Sequence, residues 1–505
     1  MNKISTIMRP TILTASLGLL IISHVNGQSL KDLVSQIGYN VSIVLPGQPG
    51  YANATKPFNL RYDYKPVAVA FPVTSHEVSE VVQLGLKSNH TVVARSGGHS
   101  YIANGLGGKN DAIVIDLRNM KSITVDDQRN TAVVQTGNLL GDILTTLNEH
   151  DRALPHGTCP YVGIGGHAGY GGYGFTSRMW GLTIDRITSI EVVLANGEIT
   201  TASETSNKDL FWAMRGAAGS FGIATAITFS TFPAPPETTI FSYSWHLPAA
   251  EAASVLTVFQ NFTLTGDIPP QLAGELVITK ADIRGNVNLG YAGGWYAPIA
   301  QLNATLAPFF AQVPAPISTS FDSGDYLHSA INLAGGSLQT ISPEGTDTFY
   351  AKSLMTPSSQ PMSLKSIQAL MEVVSTVGFD TPGWWFFQVE QVGGKYSAIN
   401  ALKASETAFV HRDSLFVIQF YSSSPGNTPP YPQTGFNLLN ASVDAIVSNN
   451  RPGWNYGAYA NYLDDELPDW SYRYYGSNYQ RLEGVKRIYD PNDFFSLPLG
   501  VGRRH

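Results

Sequence analysis

Two glycine-rich segments carry the histidine and cysteine side chains that could do chemistry in this sequence, and a third glycine-rich segment follows the second. RSGGHSY occupies residues 95–101, HGTCPYVGIGGH residues 156–167 and GYGGYG residues 169–174. The first directly follows a β-like run, so its backbone amides lie at a strand end, where they can hold a phosphate or pyrophosphate group. Taken alone, His99 is more typical of an ordinary polar loop. The three segments together indicate a ligand site.

Three common kinds of site fit these segments poorly. A zinc site could draw on His99, His156, Cys159 and His167, but the sequence has neither a second cysteine nor a Cys-x-x-Cys pair. GYGGYG fits GxGxxG, yet a nicotinamide site needs a buried strand before the glycines and a helix after them. The run 219–222, GSFG, does not make the GxSxG turn of a serine hydrolase. We therefore predict no metal site and neither of these two enzyme classes.

The amino terminus predicts secretion, and this makes the single cysteine informative. Lys3 and Arg9 precede an apolar stretch at 12–22 and small residues ending at Gly27, which is the pattern of a cleaved signal peptide over residues 1–27. The stretch is shorter than the ~18 residues of a membrane anchor. Six Asn-x-Ser/Thr sequons predict N-glycans: Asn40, Asn53, Asn89, Asn261, Asn303 and Asn440. An exported protein with one thiol, Cys159, either buries it inertly or bonds it to something other than cysteine.

Composition excludes several classes of protein. The chain has 505 residues, of which 43% are hydrophobic and only 14% charged, against about 25% charged in an average globular domain. A disordered chain is therefore excluded. Acidic residues number 38 and basic residues 31, a formal charge of −7. With no long basic run, nucleic acid is not an expected partner.

Patterning predicts two folded units and a carboxyl-terminal segment. The pattern of residues 65–94 predicts a strand, a helix and a second strand, and an α/β pattern is found again from residue 190 to 197. Local proline density rises at 233–236, where we place a domain boundary. Residues 237–445 mix β-like and helical runs, as an α+β domain does. The last ~60 residues are rich in Tyr, Asn and Asp and end at a Tyr-Asp-Pro stop.

Four separated motifs resemble the flavin-dependent oxidases of the vanillyl-alcohol oxidase superfamily. They are RSGGHSY (95–101), GTCPYVGIGGH (157–167), DLFWAMRGAAGSFGIAT (209–225) and YYGSNYQRLEGVKRIYDPNDFF (474–495), the last similar to the berberine bridge enzyme family. The resemblance implies FAD tethered twice, through an 8α-histidyl bond at His99 and a 6-S-cysteinyl bond at Cys159. The other cofactor contacts it implies are Arg95, Ser96, Gly97, Gly98, Ser100, Tyr101, Gly163, Gly165, Gly166, His167, Gly174, Ile223, Tyr475 and Asn478.

The resemblance also implies the fold. We expect an α+β protein with an FAD-binding domain of two α/β subdomains, of the p-cresol methylhydroxylase type, over residues 57–235. A substrate-binding domain with an antiparallel sheet and covering helices would span 236–445, and residues 446–505 would return to the FAD domain.

Further segments resemble the fungal glucooligosaccharide and chitooligosaccharide oxidases. The resemblance makes Tyr462, the second tyrosine of YANY at 459–462, the catalytic base. It makes Glu390 the carboxylate that helps Tyr462 ionise, although the family carboxylate is typically aspartate and one extra residue separates it here from the tryptophans. The substrate contacts that it implies are Tyr101, Trp384, Trp385, Gln388 and Gln419.

The implied function is a secreted, monomeric FAD-dependent oxidase acting on reducing oligosaccharides. It would oxidise the anomeric C1 hydroxyl to the lactone and pass the electrons to dioxygen, releasing hydrogen peroxide. Ile164 occupies the position that gates oxygen in related plant enzymes, so a dehydrogenase is an alternative. An alkaloid, a phenolic alcohol or another secondary metabolite is the alternative substrate, and a scaffold without activity is the third possibility. Partners beyond the sugar and dioxygen are not expected, and neither is a membrane.

Overall fold

The computed structural model describes residues 30–36, 41–342 and 345–502. The predicted signal peptide and the sequon at Asn40 lie outside these residues. Within them, the α-helices are α1 (Leu30–Gln36), α2 (Tyr51–Ala54), α3 (Ser75–Ser88), α4 (Leu140–Asn148), α5 (Ile164–Gly169), α6 (Ser177–Trp180), α7 (Lys208–Ala217), α8 (Ala249–Thr265), α9 (Leu302–Phe310), α10 (Tyr326–Leu333), α11 (Leu364–Asp380), α12 (Gln433–Ser448), α13 (Trp470–Tyr475) and α14 (Tyr479–Tyr489).

A four-stranded sheet forms first along the chain. Its strands are β1 (Ser42–Val44), β2 (Ala68–Phe71), β3 (Val92–Arg95) and β4 (Ile113–Asp116), in the order β1-β2-β4-β3. β2, β4 and β3 are parallel, and α3 connects β2 to β3. The helix begins where the Thr74 side chain accepts the Glu77 amide and ends at Asn89, which adopts φ 55°. Because β3 ends at Arg95, RSGGHSY begins at the carboxyl edge of this sheet.

A five-stranded antiparallel sheet follows. Its strands are β5 (Ile123–Asp126), β6 (Thr131–Gln135), β8 (Ile187–Val193), β9 (Ile199–Ser203) and β10 (Ile223–Ser230), in the order β5-β6-β10-β8-β9. β7 (Arg152–Ala153) and β11 (Phe232–Pro233) pair as a short ribbon beside it. The segment from 153 to 182, expected to be a loop around a ligand, also contains the short helices α5 and α6.

A seven-stranded antiparallel sheet dominates the second half of the chain. Its strands are β12 (Thr238–Pro248), β13 (Leu272–Lys280), β14 (Asn286–Trp295), β15 (Ser318–Gly324), β16 (Phe349–Pro357), β17 (Trp385–Gln391) and β18 (Ser414–Ser423), in the order β15-β12-β14-β13-β17-β18-β16. One face packs against α8, α11 and α12 in a large apolar core. Since side chains alternate between the faces of a strand, every second residue turns to the opposite face.

The carboxyl terminus packs against the first half of the chain. Leu482 and Val485 of α14 join the core that contains α5 and α7, and Phe495 joins the core of the first sheet. The predicted α+β class, with α/β units and an antiparallel sheet covered by helices, is confirmed. None of the helices in the described part of the chain is both long enough and apolar enough to cross a bilayer.

Candidate active site

A cavity of about 590 Å³ lies between the glycine-rich segments and the seven-stranded sheet. Most residues predicted from the sequence to bind a cofactor line it: Arg95, Ser96, Gly97, Gly98, His99, Ser100, Tyr101, Cys159, Gly163, Gly165, Gly166, His167 and Gly174. The sheet and the segment after α12 contribute Glu275, Phe386, Gln388, Glu390, Gln419, Tyr421, Tyr459, Asn461 and Tyr462. Tertiary folding therefore brings the predicted cofactor loops and the predicted catalytic pair to one cavity.

The RSGGHSY and GIGGH segments meet backbone to backbone. A methyl group on either Gly97 or Gly163 would collide with the backbone of the other. Ser96 Oγ donates to the Thr136 carbonyl at 2.5 Å and accepts the Gly165 amide at 3.2 Å, which fixes the two segments side by side. Glycine is required here because any side chain would push the segments apart.

Two charged or titratable residues of the loops have structural partners. The Arg95 guanidinium donates to the Ala54 carbonyl at 2.8 Å and the Lys56 carbonyl at 3.1 Å. His167 Nε2 accepts the Gly157 amide at 3.2 Å, which joins the HGTCP segment to α5. Burial lowers the pKa of His167 to about 3, so this imidazole is neutral at physiological pH. Arg95 and His167 therefore shape the cavity through these contacts.

The residues that line this end of the cavity fit FAD. Among the described residues, no acceptor takes the amide protons of Gly97 and Gly98, so both amides are available to a pyrophosphate. A methyl group on Gly166 would meet open space, so this part of the wall leaves room for a ligand. His99 and Cys159, the two side chains with suitable chemistry for a covalent bond to the flavin, line the same cavity. No three His, Cys, Asp or Glu side chains of the described chain are grouped to hold a metal ion.

Tyr462 and Glu390 belong to a network of hydroxyl and carboxyl groups. They are joined through Tyr173, whose hydroxyl donates to Glu390 Oε2 and lies 2.8 Å from the Tyr462 hydroxyl. The Tyr462 ring stacks on Tyr101, with centroids 5.4 Å apart and planes 7° apart. Tyr459 packs edge-on against Tyr462 at 5.0 Å. Burial, reinforced by the nearby Glu390 carboxylate, raises the pKa of Tyr462 well above its usual value.

A second carboxylate, Glu275, lies beside Glu390. The two glutamates are directly opposite each other on the paired strands β13 and β17. Burial raises the pKa of Glu275 to about 7. Burial, followed by the charge of Glu275, raises the pKa of Glu390 well above its ordinary range. Two carboxylates so close cannot both ionise readily, so the pair binds a proton near neutral pH.

Two glutamines line the cavity wall beside the carboxylates. Gln388 Nε2 donates to both carboxylate oxygens of Glu275 at 3.1 Å. Gln419 Nε2 donates to the Tyr101 hydroxyl at 2.6 Å. Gln388 and Gln419 are direct partners on β17 and β18. The wall thus presents adjacent amide and carboxyl groups, which suits a ligand with several hydroxyl groups.

Five of the predicted site residues do not line the cavity. Ile223 lies between the lining residues Gly222 and Ala224, but its side chain packs into the core of the first sheet. Tyr475 is buried in the neighbouring core, and Asn478 donates to the carbonyls of residues 404, 407 and 408. Each of these three side chains packs or hydrogen-bonds within the protein and does not reach the cavity, so their contacts with the cofactor stay predictions.

The two predicted tryptophans lie on opposite faces of the sheet. Trp385 is 1% exposed and donates its indole N–H to the Gly378 carbonyl of α11 at 3.0 Å, so its predicted role as a sugar-stacking residue is wrong. Trp384 is 60% exposed and contacts Phe386, with centroids 4.8 Å apart. Phe386 lines the cavity on the face that carries Gln388 and Glu390. It therefore supplies the aromatic surface that we expected from Trp385.

Alanine substitutions should separate the two tryptophans. We expect Trp385→Ala to lower the free energy of unfolding by about 3–5 kcal/mol, because it leaves a cavity in a packed core. Trp384→Ala should leave the unfolding free energy nearly unchanged, because its side chain is mostly in solvent. Urea denaturation of the two variants measures both effects. Equal destabilisation would contradict this assignment of faces.

Sequence reasoning missed Tyr173, Glu275 and Phe386. Tyr173 lies within the GYGGYG segment, whose glycine spacing points to a nucleotide-binding motif and gives no role to its tyrosines. Glu275 interrupts an otherwise apolar strand, and a carboxylate in such a strand is costly unless it has a function or a partner. Phe386 alternates with Gln388 and Glu390, so strand periodicity could have identified it.

Two family models match the segment with the glycine-rich loops and the segment with Tyr462. The family described as "FAD binding domain" matches residues 66–203, and "Berberine and berberine like" matches residues 458–502. A chitooligosaccharide oxidase of Gibberella zeae is 36% identical over 88% of this chain and 89% of its own length. A carbohydrate oxidase of Microdochium nivale is 35% identical over 91% and 92%.

Solved structures agree with these sequence matches. That of a chitooligosaccharide oxidase is similar at a TM-score of 0.87, with 33% identity, covering 94% of this chain and 100% of the other. That of the glucooligosaccharide oxidase from Acremonium strictum, described with a 6-S-cysteinyl, 8α-N1-histidyl FAD, is similar at 0.86, with 32% identity over 94% and 100%.

Proposed function

Because the chain belongs to the family of FAD-linked, berberine bridge enzyme-like carbohydrate oxidases, we propose that it oxidises the anomeric C1 hydroxyl of reducing oligosaccharides to the lactone. The observation that carries this proposal is the arrangement of Tyr462, Glu390 and two glutamines in the same cavity as His99 and Cys159. When bound, FAD would supply the acceptor for the C1 hydride. The side chains of the cavity would bind the sugar and take its proton.

The predicted double attachment of FAD is part of this proposal. His99 would bond the flavin 8α carbon, and Cys159 would bond C6. The support is that both side chains line one cavity and that a similar glucooligosaccharide oxidase is described with the same two bonds. A thioether would also account for the lone cysteine of a predicted secreted protein. Peptide mass spectrometry of the wild-type holoenzyme and of the Cys159→Ala and His99→Ala variants detects each bond to the flavin separately.

Tyr462 is the proposed acceptor of the C1 hydroxyl proton. Moving a proton during C–H cleavage requires a base within hydrogen-bond reach, and efficiency is greatest when the pKa of the base is near the working pH. Since burial raises the pKa of Tyr462, the tyrosine is mostly neutral, and it needs a second group to receive its own proton. Glu390 is the nearby carboxylate that suits this role.

We propose that the polar wall and the aromatic surfaces of the cavity orient the sugar. Gln388 has an amide oxygen, and Gln419 has an amide oxygen and a further N–H, to offer a sugar hydroxyl. Tyr101 and Phe386 would contact the apolar faces of sugar rings. These polar groups favour a carbohydrate over a phenolic alcohol or an alkaloid. Those substrates present few hydroxyl groups and would leave buried carboxylates and amides without partners.

Dioxygen is the proposed final electron acceptor, with hydrogen peroxide as product. Ile164, at the position that gates oxygen in related plant enzymes, is fully buried at the start of α5. A secreted, N-glycosylated monomer is also proposed. Of the sequon asparagines in the described chain, Asn53, Asn89, Asn261 and Asn303 are exposed, and Asn440 is half-buried.

The test is anaerobic mixing of the purified holoenzyme with cellobiose, lactose, xylobiose, chitobiose and coniferyl alcohol while flavin absorbance is followed. Bleaching by a disaccharide and rapid recovery of the yellow colour in air are expected. Slow recovery would favour a dehydrogenase. Bleaching by coniferyl alcohol alone would overturn the carbohydrate assignment, and a colourless protein would overturn the flavoenzyme assignment.

A further inference from the structure

We propose that Tyr173 is a proton-relay residue: when Tyr462 takes the substrate proton, Tyr173 accepts the proton that Tyr462 gives up and passes its own to Glu390. The inference rests on the proposed function, because it concerns the path of the proton that sugar oxidation releases. Tyr173 would act through Tyr462 and is therefore a positioning residue.

The hydrogen bonds define the path. The Tyr173 hydroxyl lies 2.8 Å from the Tyr462 hydroxyl and donates to Glu390 Oε2. Among the described residues, no hydrogen bond joins Tyr462 to Glu390 directly. Proton transfer is rapid only between groups within hydrogen-bond reach. A proton on Tyr462 can thus reach the carboxylate through Tyr173.

The protein holds Tyr173 rigidly in this place. Its side chain is 8% exposed and packs against the Tyr459 ring, with centroids 5.0 Å apart. The preceding residue, Gly172, adopts φ 76° and donates its amide to the Tyr459 hydroxyl at 2.9 Å. A side chain at Gly172 would be strained at this φ and would press against Thr183. The backbone on one side of Tyr173 is therefore fixed by two independent constraints.

The charge at the far end of the path makes Glu390 a suitable acceptor. Glu390 faces Glu275 across the β13–β17 pair. The titratable side chains around the path are Glu275, Tyr101, Tyr173, Tyr459 and Tyr462. Burial and Glu275 raise the pKa of Glu390, so this carboxylate has a higher proton affinity than a solvated one. The raised pKa of Glu390 lies closer to the pKa of the tyrosine hydroxyls, so less free energy is needed to move a proton from a tyrosine to this carboxylate.

Each proton in the proposed relay moves by one hydrogen bond. The sugar O–H bond breaks, and its electron pair forms the new C=O bond, while C1 loses a hydride with its two electrons, which bound FAD would accept. The sugar proton bonds to Tyr462, the former Tyr462 proton bonds to Tyr173, and the former Tyr173 proton bonds to Glu390. Three O–H bonds break and three form. The net change along the path is one carboxylate converted to a carboxylic acid.

The test is to measure the rate of anaerobic flavin reduction at a series of pH values in the wild-type and Tyr173→Phe holoenzymes. The substrate is the disaccharide that reduces the flavin of the wild-type enzyme. In the wild type the rate should rise with pH, because Glu390 must lose its proton before it can accept another. In Tyr173→Phe we expect a roughly 10- to 100-fold lower rate of flavin reduction. This rate should no longer rise with pH over the range in which the wild-type rate rises. The concentration of sugar for half-maximal rate should change less than twofold.

Matched variants complete the test. Glu390→Gln should reproduce the slow, pH-independent rate, and Tyr173→Phe/Glu390→Gln should be no slower than the slower single variant, because both act on one path. Tyr291→Phe removes a hydroxyl from a tyrosine buried in the core behind the sheet and should keep the wild-type profile. A wild-type rate in Tyr173→Phe, or losses that multiply in the double variant, would overturn the relay. If no sugar reduces the flavin of the wild-type enzyme, the proposed function is overturned, and the relay with it.

Discussion

Replacing Tyr462 with phenylalanine is expected to lower the rate of sugar oxidation by about 10²–10⁴-fold, the usual contribution of a general base. The substitution removes the hydroxyl that would take the C1 proton. The ring, stacked on Tyr101 at 5.4 Å, stays in place. Sugar affinity should therefore change little. Anaerobic stopped-flow measurement of flavin bleaching separates the rate of reduction from the affinity for the sugar.

The Tyr462→Phe result needs a control for general effects on the fold. Tyr291→Phe makes the same chemical change at a buried tyrosine on the helix side of the sheet, and we expect a wild-type rate. The flavin absorbance of both variants should match that of the wild type. A loss of less than tenfold in Tyr462→Phe would be inconsistent with its assignment as the base.

Lys352→Met is expected to destabilise the protein strongly, lowering the free energy of unfolding by about 3 kcal/mol or more. Lys352 Nζ lies 2.6 Å from Asp464 Oδ2, with only 9% and 2% of the two side chains exposed. Asp464 also accepts the Tyr350 hydroxyl at 2.5 Å. Removing the lysine leaves a buried carboxylate without its cation. Urea denaturation measures the loss.

This ion pair also connects structure to activity. Asp464 is two residues from Tyr462, and Lys352 lies on β16, so the pair ties the segment that carries the proposed base to the sheet. Flavin reduction should slow in Lys352→Met even where the protein is folded. Lys395→Met is the matched control, because its pair with Asp267 is exposed, and such pairs contribute little. Comparable destabilisation in the two variants would contradict the role given to burial.

Local sequence was sufficient for the cofactor loops. RSGGHSY and GIGGH act mainly through backbone amides and glycine geometry, which depend on residue types within a few positions. The loops therefore line the cavity where the pattern predicted. The α+β class followed in the same way from hydrophobic periodicity and from the separated motifs.

The same local reasoning failed for the aromatic residues of the sheet. Trp384 and Trp385 looked equivalent, but a strand turns neighbouring side chains to opposite faces. The choice of face depends on the pairing of β17 with β13 and β18. Pairing places Trp385 against α11 and Phe386 in the cavity. A shift of one residue would have exchanged them.

By itself, then, the sequence determined the family and the short motifs that carry His99, Cys159, Tyr462 and Glu390, because a motif depends only on residues that are neighbours in the chain. Only the tertiary structure decided how those residues connect. Tyr173 lies 217 residues before Glu390 and 289 before Tyr462, yet its hydroxyl contacts both. Glu275 reaches Gln388 from 113 residues away. Such contacts depend on strand register and on packing between distant segments, which no local pattern of residues encodes.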